Sequence, residues 1–142
     1  MIYQTDPEFP DPVHRWGCYF LSLCERMAFF YDLSLTYEYV LEILKEGQAA
    51  GIIDAEITLL NPEKVANLMI ADKVQFVGKV DPFFVCHDDE FEILCFHKDG
   101  ASFNHFCAGD GHGLVAYDPW SVEGSDSVKN GSVIGKRIFR RT

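Results

Sequence analysis

The sequence has few basic residues: 12 Lys and Arg against 22 Asp and Glu, which gives a net charge of −10. Nucleic acids and anionic membrane surfaces are bound through clustered cations, so this shortage argues against either of them as the main partner. A third of the cations lie near the end of the chain, at Lys136, Arg137, Arg140 and Arg141. We interpret this basic segment as a solvated terminal strand.

Long apolar runs are also missing. Charged residues interrupt every apolar stretch well before the roughly 18 residues that a membrane-spanning helix needs. The segment Met1–Pro7 has neither a basic leader nor an apolar run, so it does not resemble a secretory signal peptide. We therefore expect no membrane partner and a cytoplasmic location.

The cysteines do not form a regular framework. There are 5 of them, an odd number at irregular spacing, which argues against paired disulfides and favours reduced thiols. Apolar residues make up 48% of the chain and include 12 Phe, so a core can form without disulfides or a metal. At 142 residues the chain is predicted to form a single domain over residues 1–142.

Hydrophobic periodicity divides the chain into a helical first half and a β-rich second half. The proline-rich residues 5–13 are predicted to be extended. Thr36 and Asn61 are predicted N-caps, and Asp99-Gly100 a two-residue hairpin turn. The predicted elements are helices over residues 16–31, 37–50 and 62–71 and strands over 74–80, 91–97, 103–108, 113–117 and 132–140. This order predicts an α+β fold with the helices packed on an antiparallel meander.

Cys18 stands where the proline-rich segment meets the first predicted helix. In the first turn of a helix, free backbone N–H groups and the positive end of the dipole favour the thiolate. Gly17 has no Cβ, so a substrate backbone would be able to approach the sulfur closely. Cys18 is therefore a candidate nucleophile, although a core cysteine on an amphipathic helix has the same local pattern.

Two later strands carry a candidate base and acid. His105 lies near the start of one predicted strand, and Asp118 ends the next. Adjacent antiparallel strands would bring the two side chains together, with Asp118 orienting the imidazole and the second ring nitrogen facing a nucleophile.

These motifs together resemble the papain-like cysteine peptidases. An early Gln4, a helix that opens with Trp16-Gly17-Cys18, a strand with His105-Phe106 and a strand that ends in Asp118-Pro119-Trp120 are similar to the bacteriocin-processing, double-glycine leader peptidases. The resemblance implies a papain-like fold and cleavage of a peptide bond without a cofactor. It makes Cys18 the nucleophile, His105 the general base and Asp118 the orienting acid, with Gln4 in the oxyanion hole. Cleft candidates are Trp16, Gly17, Tyr19 and Trp120.

Two other interpretations stay open at this point. Tyr19 is bulky and would narrow the cleft, which fits a catalytically inactive papain-like binding module. Cys95 and His97, with His105 and Cys107, have the residue types of a zinc site, but a two-residue turn would place the two pairs on opposite faces, so we predict no metal. If the ligand is a peptide, the acidic net charge favours basic or neutral sequences.

Overall fold

The computed structural model describes residues 1–142 and contains five helices and five strands. The helices are α1 (Asp11–Trp16), α2 (Cys18–Tyr31), α3 (Tyr37–Ala49), α4 (Pro62–Met69) and α5 (Asp126–Asn130). The strands are β1 (Val74–Val80), β2 (Glu90–His97), β3 (His105–Gly109), β4 (Val115–Tyr117) and β5 (Ser132–Arg141). The predicted α+β class is confirmed. None of the helices has the length and apolar character needed to cross a membrane.

The five strands form one open antiparallel sheet in the order β1-β5-β2-β3-β4. The predicted meander is wrong in one respect, because β5 inserts between β1 and β2 instead of continuing the sheet at its edge. This position buries Ile138 and Phe139 completely, whereas an edge strand would leave one side of its backbone unpaired. The last strand of the chain is thus an internal strand of the sheet.

The connection between β2 and β3 differs from the prediction. Residues 98–104 form a seven-residue loop, and Cys95 pairs with Phe106 instead of Asn104. The side chains of His97 and Asn104 bond across the loop base at 3.0 Å, so pairing begins two residues later than in a tight hairpin. A shift of two keeps each residue on its face, as alternation requires. Cys95 therefore faces away from the side of the sheet that carries Cys107.

The first helix begins earlier than predicted and is interrupted. Pro10 is the N-cap of α1 and Pro12 lies in its first turn, where a fixed φ and a missing N–H are tolerated. Gly17 ends α1 by donating its N–H to the Val13 carbonyl at 3.0 Å, and α2 starts at the next residue. A Cβ on Gly17 would lie 2.6 Å from that carbonyl oxygen, so this junction requires glycine.

The two predicted N-caps are confirmed. Thr36 Oγ1 accepts a hydrogen bond from the Tyr39 N–H at 3.1 Å, and Asn61 Oδ1 accepts one from the Lys64 N–H at 3.1 Å. Helix α5 was not predicted because its turn-rich sequence suggested a loop. Ser125 caps it, with its hydroxyl accepting from the Val128 N–H at 3.3 Å.

Most of the core lies between the helices and one face of the sheet. Phe20 and Leu21 of α2 pack in the same cluster as Phe91 and Ile93 of β2 and Phe139 of β5. The opposite face carries a smaller cluster of Leu94, Phe96 and Cys107, against which Val128 of α5 packs. The N-terminal end of α2 is thereby fixed against the sheet beside β3.

The interpretation of the basic segment as a solvated strand is wrong. Lys136 is only 2% exposed, because β5 is internal. Its ammonium donates to Glu92 Oε1 at 2.9 Å and to the Phe84 carbonyl at 2.7 Å. The other oxygen of Glu92 accepts from the backbone N–H groups of Gly111 at 3.0 Å and Gly113 at 2.9 Å. Backbone groups thus complete the hydrogen bonding of both members of this buried ion pair.

Candidate active site

Asp118 directly follows β4 and is held by three hydrogen bonds. Its Oδ1 accepts from His105 Nε2 at 2.7 Å and from the Trp120 N–H at 3.0 Å. Its Oδ2 accepts from the Ser125 N–H at 2.7 Å. Burial raises the pKa of Asp118, but the bonds from His105 and the two backbone amides outweigh it and lower the pKa to about 2. Asp118 is thus a fixed, charged acceptor.

His105 is the first residue of β3 and is 5% exposed. Because Nε2 donates to Asp118, the other ring nitrogen, Nδ1, is the one available to neighbouring sulfur atoms. Burial lowers the pKa of His105, but hydrogen bonds with Asp118, Cys107 and Cys18 outweigh burial and raise it. The bond to the Asp118 carboxylate thus favours the charged form of the imidazole.

Cys18 is the first residue of α2 and is 8% exposed. Its place at the helix N-terminus is the one predicted, where the first N–H groups lack partners within the helix. Burial raises the pKa of the other four cysteines, to about 11 for Cys107, where the His105 hydrogen bond only partly opposes it, and to about 12 for Cys86. These four thiols are expected to stay protonated and to react slowly.

Gln4 lies near Cys18 and His105 although it precedes Cys18 by 14 positions in the chain. Its backbone N–H donates to the Pro119 carbonyl at 2.6 Å, which anchors it next to Asp118. Its side-chain amide donates to the His14 carbonyl at 2.9 Å, while its Oε1 is buried and has no partner. A primary amide has two N–H donors, so one remains free after the bond to His14.

A cleft of about 1010 Å³ opens beside these residues. Gln4, Cys18 and His105 all line it, with Trp16 and Trp120 at its rim, 43% and 42% exposed. Tyr19 lies in the wall, where its ring stacks on Phe106 with centroids 4.8 Å apart. Of the predicted site residues, Asp118 does not line the cleft itself but is bonded to His105, and Gly17 is buried against Val13 and does not line it.

A second, smaller hollow of about 420 Å³ adjoins the first. His105, Phe103 and Trp120 line both hollows. His105 therefore lies between the two hollows.

Three side chains of the site are of types that can bind a metal ion. The donor atoms of His105, Cys107 and Asp118 lie within 4.8 Å of one another. Two ligand atoms about 2.0–2.1 Å from a tetrahedral zinc ion lie roughly 3.4 Å apart, however, whereas His105 Nε2 and Asp118 Oδ1 are 2.7 Å apart. Their spacing fits a hydrogen bond rather than a shared ion. Cys95 and His97 of the other zinc set face the opposite side of the sheet.

Sequence reasoning missed two features of the site. Cys107 was considered only as a zinc ligand. Its i, i+2 spacing from His105 places both side chains on one face of the sheet, where the Cys107 thiol interacts with the His105 imidazole. Lys79 and Arg137, which we assigned to ordinary strands, line the cleft together with Arg15. Their grouping depends on the insertion of β5 beside β1, which no local pattern indicates.

The molecule is thus an α+β protein with a buried cysteine–histidine–aspartate cluster on the wall of a cleft. The chain belongs to the family described as "Protein of unknown function, DUF261", whose model matches residues 1–141. No curated protein and no solved structure matches the chain.

Proposed function

We propose that this protein is a thiol-dependent peptidase or amidase with a papain-like fold. One observation carries the proposal. His105 is bonded to the fixed carboxylate of Asp118 at 2.7 Å and interacts with Cys18, at the start of a helix beside a cleft. This is the order nucleophile, base and orienting acid that acyl transfer requires. The resemblance to the double-glycine leader peptidases supports the same roles, with a peptide or protein as substrate and a cytoplasmic location.

In the first half of the reaction, Cys18 Sγ attacks the carbonyl carbon of the scissile bond as a thiolate. The charged imidazole of His105 stabilises this thiolate and then gives its proton to the leaving amine. The carbon–nitrogen bond breaks, and a thioester joins the acyl group to Cys18. Asp118 keeps the ring oriented throughout.

In the second half, a water molecule attacks the thioester. His105, now neutral, takes a proton from this water, and the sulfur–carbon bond breaks as the carboxylic acid leaves. Cys18 and His105 return to their starting protonation states. Because His105 lies between the two hollows, both the leaving amine and the attacking water can reach it from the smaller hollow.

The oxyanion of each tetrahedral intermediate needs donors aimed at it. The backbone N–H of Cys18, at the start of α2, is one such donor. The free N–H of the Gln4 amide is the second. Two hydrogen bonds hold Gln4 in place: one from its backbone N–H to the Pro119 carbonyl and one from its side-chain amide to the His14 carbonyl. The donor therefore requires no reorganisation during the reaction.

The rate of alkylation by iodoacetamide at pH 6, read by peptide mapping, tests the proposal before any substrate is known. We expect Cys18 to react much faster than the other four thiols, because it lines the cleft with His105, whereas burial raises the pKa of the other four. His105→Ala should slow this reaction at least tenfold. His87→Ala is the matched control, because His87 is exposed and does not line the cleft, and it should leave the rate at Cys18 within about twofold.

Equally slow reaction of all five thiols would contradict the enzymatic proposal. It would favour the second candidate, a catalytically inactive papain-like module that binds a peptide in the same cleft. The 8% exposure of Cys18 and the bulk of the neighbouring Tyr19 ring favour this candidate. Peptide binding without turnover by the unmodified protein, unchanged in Cys18→Ala, would establish it.

A further inference from the structure

We propose that Arg15, Lys79 and Arg137 form a subsite that binds a carboxylate of the peptide substrate beside Cys18. The inference rests on the proposed peptidase function and names the class of substrate for that site: peptides with an acidic group close to the scissile bond. The acidic net charge of the chain predicts a preference for basic or neutral peptides. The charges that line the cleft lie closer to a bound ligand, so we base the inference on them.

The charge of the cleft is opposite to that of the protein. The whole chain has 12 cationic and 22 acidic residues, yet Arg15, Lys79 and Arg137 line the cleft with a single acid, Glu56. Charges that line a concave wall act over short distances, whereas the acidic groups elsewhere on the surface are screened beyond about 8–10 Å. A ligand in the cleft therefore meets a positive potential.

Lys79 and Arg137 are cross-strand partners in the pairing of β1 with β5. Like charges placed directly opposite each other destabilise a sheet unless something lies between them. Four cations of the chain have carboxylate partners within the protein: Arg26, Lys98, Lys136 and Arg140. The other eight have none, and they include all three cations that line the cleft. The Arg137 guanidinium lies over the Phe106 ring, 5.2 Å from the centroid.

A neutral donor points to the same place. The hydroxyl of Tyr19 is buried in the wall of the cleft without a hydrogen-bond partner, so its donor is unused in the free protein. This hydroxyl is close enough to Arg137 for the guanidinium to oppose the rise in the pKa of Tyr19 that burial causes. A phenol and a guanidinium side by side are the donors that a carboxylate needs.

The distance from Cys18 limits where the acidic group lies in the substrate. The Arg137 guanidinium is 5.2 Å from the Phe106 ring centre, which is 4.8 Å from that of Tyr19, the residue after Cys18. The guanidinium therefore lies on the same wall of the cleft as the residue that follows Cys18, so the acidic group is expected a few residues from the scissile bond. An Asp or Glu side chain and the C-terminal carboxylate of a short peptide both meet this condition.

Alkylation by a charged reagent tests the subsite without requiring turnover. Iodoacetate and iodoacetamide both lose iodide to the sulfur, but only iodoacetate carries a carboxylate. We expect the rate with iodoacetate divided by the rate with iodoacetamide to be higher at Cys18 than for 2-mercaptoethanol, a free thiol without a cationic subsite. Arg137→Gln and Lys79→Gln should each lower it about two- to fivefold, as for a partly exposed charge pair. Lys45→Gln, on the exposed side of α3, is the matched control and should leave the ratio unchanged.

Cleavage of a defined peptide library then identifies the source of the carboxylate. Each peptide is made with Glu or Gln at the three positions on each side of the cut, and with a free or amidated C-terminus. Preference for Glu indicates a side-chain carboxylate, and preference for the free C-terminus indicates a terminal one. Arg137→Gln should reduce either preference about two- to fivefold.

The outcomes separate the two proposals. Cleavage with no preference for either carboxylate, together with an iodoacetate ratio that Arg137→Gln leaves unchanged, would overturn the subsite and leave the peptidase standing. A high ratio that falls in Arg137→Gln, with no peptide cleaved, would support the subsite and count against hydrolysis.

Discussion

Two of the buried ion pairs in this protein, Lys136–Glu92 and His105–Asp118, differ in what surrounds them. The pair of Lys136 and Glu92 is 2% and 0% exposed, and backbone carbonyl and N–H groups complete its hydrogen bonds. The side chains of His105 and Asp118 are 6% and 9% exposed, and His105 lines the cleft. Next to this second pair, the Oε1 of Gln4 and the hydroxyl of Tyr19 are buried without partners.

This difference separates a structural ion pair from a functional one. Buried polar groups that are fully satisfied hold a fold together, because breaking them leaves an uncompensated charge. Polar groups beside a cleft that keep unpaired hydrogen-bonding atoms have capacity for a ligand. Both pairs are buried and short, so burial and distance alone would not distinguish them.

The largest effect is expected for the nucleophile. Cys18→Ala should lower the rate of peptide hydrolysis by about 10⁴-fold or more, because no acyl-enzyme can form. Cys86→Ala is the matched control, since Cys86 Sγ lies 3.9 Å from Glu92, beside the structural pair. It should keep the wild-type rate in an assay of peptide cleavage by mass spectrometry. Equal activity of both variants would exclude Cys18 as the nucleophile.

The structural pair should respond through stability. Lys136→Met leaves Glu92 charged and buried, so the free energy of unfolding should fall by about 3–5 kcal/mol. The double variant Lys136→Met, Glu92→Leu should recover part of this loss, because no unpaired charge remains. Denaturant titration measures both, with Lys45→Met as an exposed-cation control. A loss below about 1 kcal/mol for Lys136→Met would show that the pair is not structural.

Gln4→Ala should lower the hydrolysis rate by about 10²–10³-fold while leaving the KM near its original value, because the donor acts mainly in the transition state. Gln48→Ala is a matched control: the Gln48 amide also donates to a backbone carbonyl, that of Asp54, but on the exposed side of α3. Steady-state kinetics with one peptide compares them. An unchanged rate in Gln4→Ala would leave the oxyanion hole to other donors.

The smallest expected effect concerns acid stability. Folding lowers the pKa of Asp118 from 3.8 to about 2, so its contribution to stability is present above pH 3.8 and is lost as the pH falls through about 2. Asp118→Asn lacks this contribution, so the two proteins should differ in stability near pH 5 and converge near pH 2. Denaturant titrations between pH 2 and 6 measure the difference, and a gap that widens towards pH 2 would contradict the expected sign.

Local patterns predicted the parts of the fold that depend on local physics. Thr36 and Asn61 cap their helices because a side-chain oxygen meets a free N–H within three residues. The β1 bounds were predicted exactly from two-residue alternation. The position of β5 was not, because insertion between β1 and β2 is decided by burial across the whole sheet.

The candidate site divides in the same way. Adjacency of β3 and β4 was predicted from their short connection, and it places His105 beside Asp118. The place of Gln4 was less predictable, because it depends on a backbone bond to Pro119, 115 residues away in the chain. Arg137 joins the cleft only because β5 is internal, so sequence reasoning treated it as part of a solvated tail.

The internal position of β5 has a consequence for biosynthesis. β1 and β2 form no hydrogen bonds with each other, and each pairs instead with β5, residues 132–141. During translation, about 130 residues therefore leave the ribosome before the sheet can close, and two strand edges stay open until then. The wall that carries Arg137 is completed at the same moment, so the cleft is finished only when the last strand has joined the sheet.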